Sequence, residues 1–155
     1  MAETSTIYSS CMFPNVSDSP SEWGRFTDGS IEQRMLVAAG GFIGTELRPR
    51  SILLGNRSRV EVEGMNEAGQ VVAQLVANQG TYKPSYRNKV MADLFKLLWL
   101  CQSIPSADCA VLVVTELVVK ALGGWVAVAA ADLGIEVLVF DGTAVAPPAP
   151  AAPRA

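Results

Sequence analysis

The sequence predicts an α/β fold with a mixed central sheet, its elements in the order α-β-β-β-α-β-α-β. Three observations carry this expectation. Two segments, starting at Ile31 and near Val90, repeat apolar residues at helical spacing. Between them lie three short strand-like runs separated by turn residues. After the second helix, a β-branched run, an alanine-rich stretch and another β-branched run follow with short connections, the pattern of parallel strands joined by a crossover.

The first helix has a legible start. Ser30 and Gln33 have capping-box spacing, Glu32 suits the positive end of the helix, and Ile31, Met35, Leu36 and Ala39 form one apolar stripe. Gly40-Gly41 is expected to end or bend it, and Arg48-Pro49-Arg50 marks the exit. The first strand is read as Ser51 to Leu54, closed by Gly55-Asn56. Arg59 to Glu63 alternates, placing Val60 and Val62 on one face and Arg59, Glu61 and Glu63 on a polar one, and Gly64 to Gly69 turns the chain back. Val71 to Ala77 is apolar apart from Gln74, the composition of a strand buried on both faces.

Beyond Gly80 and Pro84 the period becomes helical, with Val90, Leu94, Leu97, Leu98 and Cys101 on one stripe and Lys89, Asp93 and Lys96 beside it. Cys109 to Val114 reads as a buried strand, Glu116 to Leu133 as one helix stopped by Gly134, and Ile135 to Phe140 as the last strand. The expected organisation is a mobile arm over residues 1–27, one domain over 28–142, and a disordered Ala/Pro tail over 143–155.

Composition bounds the chemistry. Half of the 155 residues are apolar and 17% are charged, which suits one globular core. The longest apolar region is broken by Glu116, Lys120, Asp132 and Glu136, so no membrane span is expected. Met1 to Ser10 has neither a basic start nor an apolar run, so no signal peptide is expected and the protein is read as cytoplasmic. The three cysteines are widely spaced and form neither a disulfide framework nor a zinc pattern. There is no histidine, which removes Ser-His-Asp and Cys-His nucleophile activation and histidine general-base catalysis. Carboxylates, amides and lysines must carry any catalysis.

Charge is unevenly placed. Residues 48–96 carry eight basic and four acidic groups, while both flanks are acidic. A basic segment within a chain of net charge −3 is a candidate footprint for phosphate, and nucleic acid is the partner that this suggests. It is also compatible with an ordinary solvated surface. The apolar density from Cys109 to Val119 leaves a homodimer open as well.

Val60-Glu61-Val62-Glu63-Gly64, then Gln74 to Gly80, then Lys89-Val90 and Lys96-Leu97 resemble the restriction-endonuclease-like, PD-(D/E)XK superfamily, in a bacterial branch that reads Val-Glu-Val-Asp-Gly and Glu-x-x-Ala-x-Gln-Gly. The resemblance covers residues 30–140. It implies a nuclease-like hydrolase in which two strand carboxylates bind Mg2+ or Mn2+ and a lysine positions the attacking water. Residue by residue, it implies Glu63 as the first acid with Glu61 in reserve, Glu32 as a supplementary metal ligand, and Gln74 in the place of the third-strand acid. Val76 stands where the lysine belongs, so Lys89 is the first replacement and Lys96 the second. The catalytic candidates are therefore Glu63, Gln74 and Lys89, and the metal candidates Glu32, Glu63 and Gln74. Arg57, Arg59, Lys83, Arg87 and Lys96 are the substrate-binding candidates, reading nucleic acid through its phosphates. A neutral amide at Gln74 weakens a cation site whose affinity depends on ligand charge. Two alternatives remain: a catalytically inactive nucleic-acid-binding or protein-binding module, and a structural dimerisation domain.

Overall fold

Ser30 Oγ accepts the amide of Gln33 at 3.2 Å, satisfying one of the open donors at the start of helix α1, Ile31–Ile43. In a computed structural model, which describes residues 23–149 except 56 and 79, this helix is followed by strands β1 (Arg48–Leu53), β2 (Arg59–Met65) and β3 (Val71–Val76). Then come helix α2 (Ser85–Ser103), strand β4 (Cys109–Thr115), a 3₁₀ segment (Glu116–Leu122), helix α3 (Trp125–Asp132) and strands β5 (Ile135–Phe140) and β6 (Val145–Ala146).

One six-stranded mixed sheet runs β1-β2-β3-β4-β5-β6, in the order of the sequence. The first three strands are antiparallel, β3, β4 and β5 are parallel, and β6 returns antiparallel to β5. The helices cover both faces. Met35, Leu36 and Ala39 of α1 pack with Val71, Ala73, Leu75, Val111 and Val113, while Val90, Leu97 and Leu100 of α2 pack with Val72, Val76, Leu112 and Val114 on the opposite face. The alternate residues of β3 and β4 are thus consumed by opposite layers, which explains their near-continuous apolar sequence. Each fully buried Leu or Val contributes about 1.5–3 kcal/mol relative to exposure.

Several expectations need correction. Helix α1 runs through Gly40-Gly41 and stops at Gly44, whose φ of +91° is open to glycine. Gly40 serves the turn that follows: a Cβ there would lie 2.7 Å from the carbonyl oxygen of Thr45. Strand β1 starts at Arg48 rather than Ser51, with a bulge between Arg48 and Arg50 that accommodates Pro49. The single helix expected over Glu116 to Leu133 is two pieces, split at Gly123 and Gly124, the latter with φ +66°.

Both presumed ends also contribute to the fold. Val145 is buried in β6, which pairs with Val139 and Phe140, so the described part of the Ala/Pro segment includes a strand. Asp141 builds its turn by accepting the amides of Thr143 and Ala144, each at 2.8 Å, and these bonds hold its carboxyl below the usual range. At the other end, Phe26 is buried and the Arg48 guanidinium lies 4.3 Å from the Trp23 ring. The rest of the expected arm and tail, residues 1–22 and 150–155, and Cys11 with them, lie outside the described residues. Cys101 and Cys109 are free and half-buried, and burial pushes both thiols up. Among the described residues no helix is long and apolar enough to cross a membrane.

Candidate functional site

The site arises where β2 and β3 part. Their ladder pairs Met65 with Val72 and Gly64 with Ala73. One step further, side chains replace the ladder: the Glu63 amide donates to Gln74 Oε1 at 3.2 Å, and the Leu75 amide donates to Glu63 Oε2 at 2.6 Å. Two strands that diverge leave backbone donors facing each other without carbonyl partners, and these two side chains satisfy them. Gly64 permits the approach of α1 at this point, since a Cβ there would lie 2.5 Å from Leu36 Cδ2.

From this gap a chain of contacts extends in both directions. Gln74 Nε2 donates to Asp93 Oδ1 at 3.2 Å, and Lys89 Nζ donates to Asp93 Oδ2 at 2.9 Å, one turn earlier on α2. On the other side, Arg25 donates to Glu63 Oε1 from the turn before α1. Gln74, Asp93 and Glu63 are buried, whereas Lys89 and Arg25 remain half exposed. Both buried carboxylates are therefore neutralised by cations reaching in from the surface. Burial raises the Glu63 pKa above the usual carboxylate range and Asp93 adds to the rise, while the Leu75 amide, Lys89 and Arg25 oppose it.

A cavity of about 410 Å³ opens over the splay, lined in part by Arg25, Ser30, Glu32, Glu63, Leu75 and Lys89. Three of the expected site residues, Glu32, Glu63 and Lys89, thus share one cavity. Gln74 faces away from it, toward Asp93. Glu63 does not lie on a solvated strand face as its alternation suggests; Arg59 and Glu61 do, and Glu63 is buried. Lys96 reaches β2 instead of the cavity, donating to the Glu61 carbonyl at 2.6 Å.

The substrate-binding candidates are dispersed. Arg57 sits in the β1–β2 turn with φ +68°, and Arg59 donates to Ser51 Oγ at 3.3 Å. Lys83 and Arg87 flank the start of α2, where Arg87 donates to the Gly123 carbonyl at 3.4 Å. Beside them Lys120 lies 5.9 Å from the Tyr82 ring, and Tyr82 lies 6.1 Å from Tyr86. This corner is fixed by Asn78, which receives the Tyr86 hydroxyl and the Gly80 amide on Oδ1 and exchanges bonds with Thr115 at the end of β4.

Two members of the contact chain escape a reading of the sequence by motif. Asp93 has a signal: it lies at i+3 from Val90 and i+4 before Leu97, on the buried stripe, where an aspartate requires a partner. Arg25 has none, because it comes from an aperiodic turn 38 residues from Glu63. Comparison with family models, curated proteins and solved structures returns no match to this chain.

Proposed function

We propose that this chain is a restriction-endonuclease-like domain whose nuclease-like site is catalytically silent and which acts as a nucleic-acid-binding module. The observation that carries this reading is the contact chain Arg25–Glu63–Gln74–Asp93–Lys89, in which each buried carboxylate is already matched by a cation of the protein. Support for the architecture comes from the antiparallel meander β1–β3 followed by parallel β4 and β5.

As arranged, the residues do not fit Mg2+ or Mn2+. Hard divalent ions require several free oxygen ligands of net negative charge. Here Glu63 has one oxygen on Arg25 and the other on the Leu75 amide, and Gln74 Oε1 serves the Glu63 amide. The cavity lining contains two carboxylates and two cations, which sum to no net charge. Lys83, Arg87 and Lys120 form no ion pair among the described residues, and with Tyr82 they offer phosphate and ring contacts to a nucleic acid. The test is a Mn2+ titration by calorimetry together with a DNA-cleavage and salt-dependent binding assay. No ion uptake, no cleavage and a negative slope of binding against salt are expected; Mn2+-dependent cleavage abolished by Glu63→Gln would refute the reading.

A second reading is metal-dependent phosphodiester hydrolysis through Glu63 and Lys89 with Glu32 as a further ligand. The favouring observation is that these three residues line one cavity.

A further inference from the structure

The two protein cations at the site are not equivalent. Both line the cavity and both lower the Glu63 pKa, but Lys89 Nζ is engaged by Asp93 Oδ2, whereas Arg25 bonds the Glu63 carboxylate itself. The Arg25–Glu63 pair is also asymmetric in exposure: the Arg25 side chain is 58% exposed and that of Glu63 is 9% exposed. Arginine can therefore return to water by side-chain rotation, and the glutamate cannot follow. When Arg25 leaves, Glu63 keeps its orientation, because Oε2 remains bonded to the Leu75 amide in β3. Oε1 then faces the cavity with the carboxylate of Glu32, while Lys89, also in the lining, stays on Asp93.

We propose that Arg25 is the counter-cation of Glu63 Oε1 and the residue that excludes divalent metal from that oxygen. The inference rests on the silent-site reading and names its determinant. Arg25 occupies the one Glu63 oxygen that the sheet does not use, and it brings a positive charge against any arriving cation. A guanidinium suits the role because it is charged at every accessible pH and is weakly hydrated, so it accepts a partly dry partner. Its position is kept by the neighbours of the turn: Phe26 is buried beneath it, with the guanidinium 5.3 Å from the ring, and Trp23 is held against Arg48. Gln74 stays outside the cavity, with its amide committed to Asp93 and to the Glu63 backbone, so the metal question turns on Arg25.

The experiment compares the full chain with Arg25→Ala, Arg25→Gln and each of these combined with Glu63→Gln. Mn2+ binding is followed by calorimetry at constant ionic strength, and each melting temperature is measured alone and with the ion. The wild type is expected to take up no ion. Each Arg25 single variant should gain Mn2+ uptake at a 1:1 ratio, at least about tenfold above the wild type, a step of about 1.4 kcal/mol. The added Glu63→Gln should abolish that gain. Arg25→Gln retains a stem over Phe26 and decides the matter if Arg25→Ala fails to fold. A wild type that binds Mn2+ in a Glu63-dependent way overturns the silent-site reading and the role of Arg25 together. A wild type without binding, beside folded Arg25 variants that also gain none, leaves the silent site standing and overturns the role of Arg25 alone.

Discussion

Asp93 is the residue whose replacement separates a structural network from a decorative ion pair. It lies on the inner stripe of α2 between Val90 and Leu97, is buried, and accepts from Gln74 and Lys89. Asp93→Ala removes both acceptors. The Lys89 end is half exposed, so its loss costs only about 0–1 kcal/mol. The Gln74 end differs: the residue is 2% exposed, and an amide N–H2 left without an acceptor there costs about 1–3 kcal/mol. The sum is about 1–4 kcal/mol, or roughly 3–16 °C in melting temperature at about 3–4 °C per kcal/mol for a domain of this size. Asp93→Asn keeps an oxygen for Gln74 and should recover most of the loss, while Asp93→Leu extends the apolar stripe yet leaves Gln74 unsatisfied and should not. Urea denaturation of the three variants orders them. Asp93→Leu as stable as Asp93→Asn would refute the reasoning, since packing rather than the Gln74 bond would then set the stability.

Two further changes probe the same region. Burial places the Glu63 pKa above the usual carboxylate range, so the folded chain binds this proton more tightly than the unfolded chain. Its contribution to stability is full below the ordinary carboxylate pKa and is lost as pH rises through the raised folded value. Glu63→Gln should therefore gain stability relative to wild type as pH rises from about 4 to 8; denaturation midpoints that diverge in the opposite direction would mean that the Leu75 amide, Lys89 and Arg25 together outweigh burial. Gly64→Ala should cost about 1–3 kcal/mol, because the new methyl meets Leu36 Cδ2 at 2.5 Å in a fully buried layer. Leu36→Ala in the same chain should show favourable coupling to it in a double-mutant cycle, and strict additivity would place the strain elsewhere.

The fold was legible wherever one physical pattern ran for several residues. The stripe of α1, the continuous apolar runs of β3 and β4, and the turn residues around the meander each correspond to an observed element. What escaped was set by single residues or by distant contacts. Gly124, with its positive φ, divides an alanine-rich segment whose propensity otherwise favours one helix. Strand β6 is two residues long and owes its place to the Asp141 turn and to the open edge of β5, neither of which leaves a period in the sequence. At the site, the family resemblance singled out Glu63, Gln74 and Lys89, which one contact chain joins through Asp93, but alternation assigned Glu63 to a solvated face. The end of the β2–β3 ladder at Gly64 and Ala73 draws it inward, a tertiary effect that no local window contains.

That splay explains why polar residues gather here and not elsewhere in a core made largely of Val and Leu. A sheet whose strands separate must satisfy the exposed amides of both, and water is displaced by the layers of α1 and α2. Side-chain acceptors of suitable length, Glu63 and Gln74, meet the need. A buried glutamate then requires either a proton or a cation, and a buried amide requires an acceptor for its own N–H2 group. Asp93 supplies the acceptor and in turn calls for Lys89, while Arg25 supplies the cation for Glu63. A metal ion would meet only the first demand, in the place of Arg25, since the Gln74 amide turns to Asp93 and not to the cavity. The two solutions exclude each other at a single oxygen, Glu63 Oε1, so replacing Arg25 is the smallest change that converts one into the other.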